Sequence, residues 1–134
     1  MHFCERGGSM IYLASPYSHP NVNIREARYR SVCRATAMLL EAGHSVFSPI
    51  VHGHPLAEYG LPTDWAFWQR YDRDHLTRCD ELVVLTLDGW RESIGVTAEV
   101  ALAVELGKPV RYLEPATLAP TSPTLARVAK EVVS

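Results

Sequence analysis

The chain reads as a three-layer α/β/α sandwich around a parallel sheet of four to five strands, flavodoxin- or Rossmann-like. Two observations predict this. Short apolar runs alternate with longer stretches of helical periodicity, the order that produces right-handed parallel crossovers. One of the runs, residues 81–87, is nearly all apolar, as in a central parallel strand covered on both faces. At 134 residues, 47% hydrophobic and 21% charged, the chain is long enough for one core and too apolar for wholesale disorder.

The elements follow in order. Residues 10–15, Met-Ile-Tyr-Leu-Ala-Ser, form a first buried strand that stops at Pro16. Residues 23–42 have helical spacing, with Ile24, Ala27, Ser31, Ala35, Met38, Leu39 and Ala42 on one stripe and Arg25, Glu26, Arg30 and Arg34 off it. Asn23 is the expected N-cap and Gly43 the C-cap. Residues 45–48 make a second strand, ended by Pro49. Residues 49–63 carry three prolines, two glycines and two histidines without periodicity, and are expected to be a long functional loop. Residues 64–79 are helical again, then come the central strand, a polar loop over 88–93, a helix over 95–106 closed by Gly107, and a last strand, 110–113. Residues 1–9 read as a leader, with Met10 as an alternative start. Residues 10–114 form the domain, and 115–134 a Pro/Thr-rich linker and terminal helix.

Composition excludes several function classes. A formal net charge of −2 offers no cationic surface for a nucleic-acid polymer. No run of 18 apolar residues exists to span a membrane. Three cysteines at no metal-like spacing suit a reducing cytoplasm. The motifs GxGxxG and GxxxxGK[ST] are both absent.

Ligands of such sheets bind at the carboxyl ends of the strands, here residues 15–18, 48–54 and 87–93. In the third of these, Asp88 and Ser93 precede Gly95, whose helix carries Glu99. Gly95 can bring backbone N–H groups close to an anion, and the helix N-terminus is expected to help keep Glu99 ionised, as a nucleophile requires. The plainer alternative is a solvated helix residue. Asp72 lies four residues from both Trp68 and Leu76 on the apolar stripe that Trp65 and Cys79 share. It either faces a cleft or tilts to water at the helix edge. Tyr12 sits inside the first strand, where alternation alone does not choose its face. Trp65 and Trp68 could stack on a planar base or simply fill the core. Ser15 lies at the end of the first strand. His19 and Arg25, at the first loop and helix start, could meet a phosphate or solvent. His52 and His54 would share a side if extended, so a metal site with His75 is weighed, although no nearby Cys or carboxylate completes a cluster.

Ile11-Tyr12-Leu13-Ala14, together with Ser93-Ile94-Gly95-Val96-Thr97-Ala98-Glu99 and Gly107-Lys108-Pro109, resembles the nucleoside 2-deoxyribosyltransferase family over residues 10 to about 113. The resemblance implies that Glu99 attacks C1′ of the sugar, that Tyr12 orients its carboxylate, and that Asp72 handles the proton of the leaving base. It implies no cofactor, a small nucleoside or nucleotide as the partner, and a homo-oligomer, whose interface helix is expected at residues 64–79. Where the transferases hold an aspartate six residues before the nucleophile, this chain has Ser93. The related deoxynucleoside 5′-monophosphate N-glycosidases have serine there, against the phosphate. Their glycine-rich first loop is replaced here by Pro16-Tyr17-Ser18-His19-Pro20. The GGGxGT signature of the similarly folded cytokinin-activating phosphoribohydrolases is absent. Three readings follow: N-glycoside cleavage or transfer on a 2′-deoxynucleoside or its 5′-monophosphate; a non-catalytic nucleotide-binding module on the same fold; and a metal-dependent hydrolase using His52, His54 and His75.

Overall fold

The structure is a computed structural model and describes residues 9–118. The expected terminal helix, and all but the last residue of the expected leader, lie outside the described residues. Four parallel strands, β1 (Met10–Ala14), β2 (Ser45–Phe47), β3 (Glu81–Leu85) and β4 (Val110–Leu113), stand in the order β2-β1-β3-β4. The helices are α1 (Val22–Glu41), α2 (Pro49–Gly53), α3 (Trp65–Arg78) and α4 (Ile94–Glu105). The chain runs outward from β1 to β2, then crosses back to β3 on the other side of β1. The order therefore reverses between the two central strands, and their carboxyl ends open a crevice.

Strand alternation divides the core into two layers. Ile11, Leu13, Val83 and Leu85 face one way and pack with Val32 and Ala35 of α1. Tyr12, Ala14, Leu82 and Val84 face the other way, toward Leu76 of α3 and Val96 and Ala103 of α4. Tyr12 pairs in register with Phe47 on one side and Leu82 on the other, which fixes its ring on the α3/α4 face.

Several boundaries move for identifiable reasons. Asn21, not Asn23, caps α1: its side chain accepts the backbone N–H of Asn23 at 2.8 Å, so the helix starts two residues early. The buried face of α1 is Val32, Ala35, Met38 and Leu39, whereas Ile24 and Ala27 on the expected stripe are exposed. Burial begins only where the helix reaches the sheet. Gly43 does end α1, at φ +100°.

The expected loop over 49–63 is instead largely helical, α2 followed by a 3-10 segment, His54–Tyr59. Ser48 accepts the Val51 N–H at 3.1 Å and Pro49 occupies the first helical turn, a start signal stronger than the missing periodicity. The linker also begins with a 3-10 turn, Pro115–Leu118, whose Leu118 joins the α1 layer.

Candidate active site

The crevice between β1 and β3 is a cavity of about 300 Å³. Each carboxyl-terminal loop contributes to it: Ser15 after β1, Pro49 after β2, and Ser93 after β3. Among the residues expected to bind or react, Ser15, Trp65, Trp68, Asp72, Ser93, Gly95 and Glu99 line it.

Glu99 lies on the second turn of α4 and is 4% exposed. Below it, fully buried Tyr12 donates its hydroxyl to Glu99 Oε2 at 2.6 Å. A strand residue and a helix residue 87 positions apart are thus locked across the α3/α4 layer. Burial pushes the Glu99 carboxyl up to about 8; the Tyr12 hydrogen bond works in the opposite direction and the nearby Asp72 charge adds to the rise. The expectation that the helix N-terminus keeps Glu99 ionised is therefore corrected: the loss of hydration on burial outweighs it. Tyr12 is itself held well above its ordinary value by burial and by Glu99, so its proton stays in the bond.

Asp72 is 6% exposed and faces the cavity from α3, which decides against a helix-edge residue tilted to water. Burial raises it to about 7, and its Oδ1 has no partner among the described residues. The Ser15 hydroxyl is the other buried polar atom without one. An unpaired buried polar group costs about 1–3 kcal/mol, and both groups line the cavity, where water or a bound ligand can pair them.

The tryptophans form the cavity's sides. A Cβ at Gly95 would lie 3.3 Å from Trp65, so glycine lets the indole sit on the first turn of α4. Trp68 donates its indole N–H to the Pro62 carbonyl at 2.7 Å and covers Gly53. Ser93 is the N-cap of α4: its hydroxyl oxygen accepts the Val96 N–H at 3.1 Å, which leaves the hydroxyl proton available to a ligand.

Other expected residues are placed elsewhere. Asp88 is exposed and meets Arg28 only through its carbonyl, at 3.0 Å. Arg25 turns its guanidinium to the His19 carbonyl, and His19 accepts the Asn21 N–H at 3.0 Å. None of these three lines the cavity, because the α1 start uses them to fasten its own loop. His52 and His54 do not share a side, since α2 winds the backbone between them. His52 stacks on Tyr71 at 5.5 Å, and His75 stacks on Phe47 at 4.2 Å. No group of three His, Cys, Asp or Glu capable of holding a metal ion occurs among the described residues. Tyr17 and His54 line the cavity too, within the strand-end segments 15–18 and 48–54 where a ligand is expected, but their contact with each other, 2.7 Å from the phenol oxygen to Nδ1, is not legible in the sequence. The missed signal is the Ser48-Pro49 helix start, which brings the 3-10 segment back over the β1 loop.

Over residues 9–114 the chain matches the family described as a domain of unknown function, DUF1937. No curated protein matches it. Among solved structures it is similar to the 2-deoxyribosyltransferase of the psychrotolerant bacterium Bacillus psychrosaccharolyticus, described as a biocatalyst for synthesis of antiviral and antitumoral nucleosides. The identity is 30%, the coverage 80% of this chain and 73% of that one, and the TM-score 0.59. The chain belongs to the nucleoside 2-deoxyribosyltransferase-like family. Its sandwich is that family's fold, and the β1 and α4 segments that carry the sequence resemblance are the two that meet at Tyr12 and Glu99. No helix among the described residues is long and apolar enough to cross a membrane.

Proposed function

We propose that the cavity catalyses N-glycoside cleavage or transfer on a 2′-deoxynucleoside or its 5′-monophosphate, through a covalent glycosyl–Glu99 ester. The observation that carries this is the buried Tyr12–Glu99 bond at 2.6 Å, with Asp72 lining the same cavity. Two carboxyls with separate roles are the minimal equipment for retaining glycoside chemistry. The neighbouring enzyme from B. psychrosaccharolyticus supports the same class of reaction.

Burial raises both acids, and the Asp72 charge adds to the rise at Glu99, which favours a pair that shares one proton. Glu99, raised to about 8, holds that proton more tightly than Asp72, raised to about 7. The reactive state therefore needs the proton moved to Asp72, a shift that the Tyr12 hydrogen bond assists by favouring the charge on Glu99. From that state, Glu99 Oε attacks C1′ as the C1′–N bond breaks. Asp72 gives its proton to the departing base nitrogen. Positive charge developing on the sugar stabilises the Glu99 carboxylate that burial penalises. Water or a second base then attacks C1′ and releases Glu99.

The test is base release from a panel of deoxynucleosides and deoxynucleotides. Glu99→Ala and Glu99→Gln are expected to lower turnover at least about 10³-fold while the far-UV spectrum is unchanged. Retained turnover in folded Glu99→Ala removes Glu99 from the reaction and leaves a nucleotide-binding module.

The reading also includes a homo-oligomer, whose interface we place on α4 in preference to the helix over 64–79. Outside Phe67, the exposed positions of α3 are mostly charged or polar, while α4 exposes Ile94 (73%), Thr97, Ala101 and Val104 (65%) on one face. A two-fold pairing through α4 would cover this stripe. Light scattering at micromolar concentration is expected to report twice the chain mass, and a monomer rejects the pairing.

A further inference from the structure

Beyond the two carboxyls, one side of the cavity is built from a chain of hydrogen bonds that the reaction above does not use. Tyr17, in the β1 loop, lines the cavity and places its hydroxyl 2.7 Å from His54 Nδ1. His54 Nε2 is 3.0 Å from Glu26 Oε1 on α1. Arg30 lies 3.3 Å from the other Glu26 oxygen, and Tyr29 stacks on the imidazole at 4.0 Å. Both nitrogens and one face of His54 are thus engaged.

The directions of these bonds follow from the groups. A carboxylate paired with Arg30 only accepts, so Nε2 carries a proton and points it at Glu26. In the neutral imidazole Nδ1 is then the lone pair, and the Tyr17 hydroxyl donates to it. While His54 is neutral the phenol's one proton is spent, and the Arg25 guanidinium beside it donates toward the same oxygen; an imidazolium would reverse the bond and free that proton. Beside the neutral imidazole, Tyr17 can accept a hydrogen bond from a ligand and cannot donate one.

This wall belongs to the base end of the cavity. Asp72 must reach the leaving base, and Trp68 lies one turn before Asp72 on α3. Trp68 packs on Gly53, where a Cβ would sit 3.5 Å from its ring, and His54 follows Gly53 directly. Asp72, Trp68, Gly53, His54 and Tyr17 therefore run in sequence along one side. The other side is Ser93, Gly95 and Trp65 at the α4 start.

We propose that Glu26 and His54 are positioning residues that fix Tyr17 as an obligate acceptor, and that Tyr17 selects bases bearing an exocyclic amine over those bearing a carbonyl at the corresponding position. This rests on the glycosyl-transfer reading of the cavity. An amine donates to Tyr17, whereas a carbonyl there confronts a second acceptor and loses its hydration without replacement.

The experiment compares matched pairs, 2′-deoxyadenosine against 2′-deoxyinosine and 2′-deoxycytidine against 2′-deoxyuridine, each also as the 5′-monophosphate. Base release (kcat/KM) is measured for wild type, Tyr17→Phe and Glu26→Leu, and equilibrium binding of the same ligands to Glu99→Gln. Wild type is expected to favour the amine partner by roughly 5- to 100-fold in at least one pair. Tyr17→Phe keeps the ring and should bring that ratio near one. Glu26→Leu frees the imidazole to exchange its proton between nitrogens, so Tyr17 can donate. Its ratio should fall through a gain on the carbonyl substrates, a gain that mere loss of structure would not produce. A wild-type ratio of one or below in both pairs, or a ratio untouched by Tyr17→Phe, overturns the proposal. Amine preference in binding without any base release rejects the glycosyl reading and keeps this one; base release without preference does the opposite.

Discussion

The layer between the sheet and α1 is built from side chains such as Ile11, Leu13, Val32, Ala35, Val83 and Leu85, every one of them apolar. The layer on the opposite face holds as much aliphatic packing but also Tyr12, Cys79 and, beside them, the buried carboxyls of Asp72 and Glu99. One sheet therefore carries a core that only stabilises and a core that gives up stability to hold two acids out of water. Strand alternation permits this, because neighbouring residues of β1 enter different layers. The cavity opens at the end of the second layer, so the acids reach a ligand without disturbing the first.

Substitutions in the two layers should accordingly have opposite signs. Leu85→Ala, at a fully buried site in the α1 layer, is expected to cost about 2–5 kcal/mol at every pH. Glu99→Gln should behave differently. The Glu99 carboxyl rises from an ordinary 4.5 to about 8 in the folded chain, so the folded state holds a proton that the unfolded state has released. Its contribution is present below about pH 4.5 and is lost as pH rises toward 8. Asp72 follows the same course between 3.8 and about 7. Glutamine cannot ionise and still offers an oxygen to Tyr12. Urea unfolding should find Glu99→Gln close to wild type near pH 5 and more stable by roughly 1–4 kcal/mol at pH 8. A Glu99→Gln protein less stable than wild type at pH 8 would show that the second layer carries no such burden.

The same contrast explains what was legible from the sequence alone. The strand and helix order is legible because apolar runs and helical spacing are local signals; which strand residues meet α1, and where along α1 burial begins, are set by the sheet, and Ile24 and Ala27 are exposed. The position of Asp72 on an apolar stripe was local too, and it points into the cavity as its neighbours Trp68 and Leu76 suggested. The Tyr12–Glu99 contact spans 87 residues, and here the family resemblance supplied what periodicity could not. The wall made by Tyr17, His54 and Glu26 depends on where α2 and the 3-10 segment fold back. That segment has no repeat for a periodicity argument to find, so the sequence alone offers His54 as a metal ligand beside His52. Sequence proximity to the loops suggests Arg25, His19 and Asp88 near the site. Their backbone carbonyls and short-range bonds hold those loops together instead.

Ser93 belongs to both layers' logic, and the smallest expected effect tests it. As N-cap of α4 it is a structural residue, bonded to the Val96 N–H at 3.1 Å; as part of the cavity wall it can donate its proton to a phosphate oxygen. Alanine removes both roles and does not separate them. Aspartate does, since it caps a helix as well as serine and repels a phosphate dianion. If the substrate is a 5′-monophosphate, wild type should bind it more tightly than the free nucleoside. Ser93→Ala should weaken that preference by roughly 1–3 kcal/mol and lower fold stability by about 1 kcal/mol. Ser93→Asp should keep the stability and reverse the preference. Competition binding of a deoxynucleoside and its monophosphate, with thermal unfolding of the same three proteins, reads both quantities. Equal affinity of wild type for the two ligands would leave Ser93 a helix cap alone and make the free nucleoside the substrate.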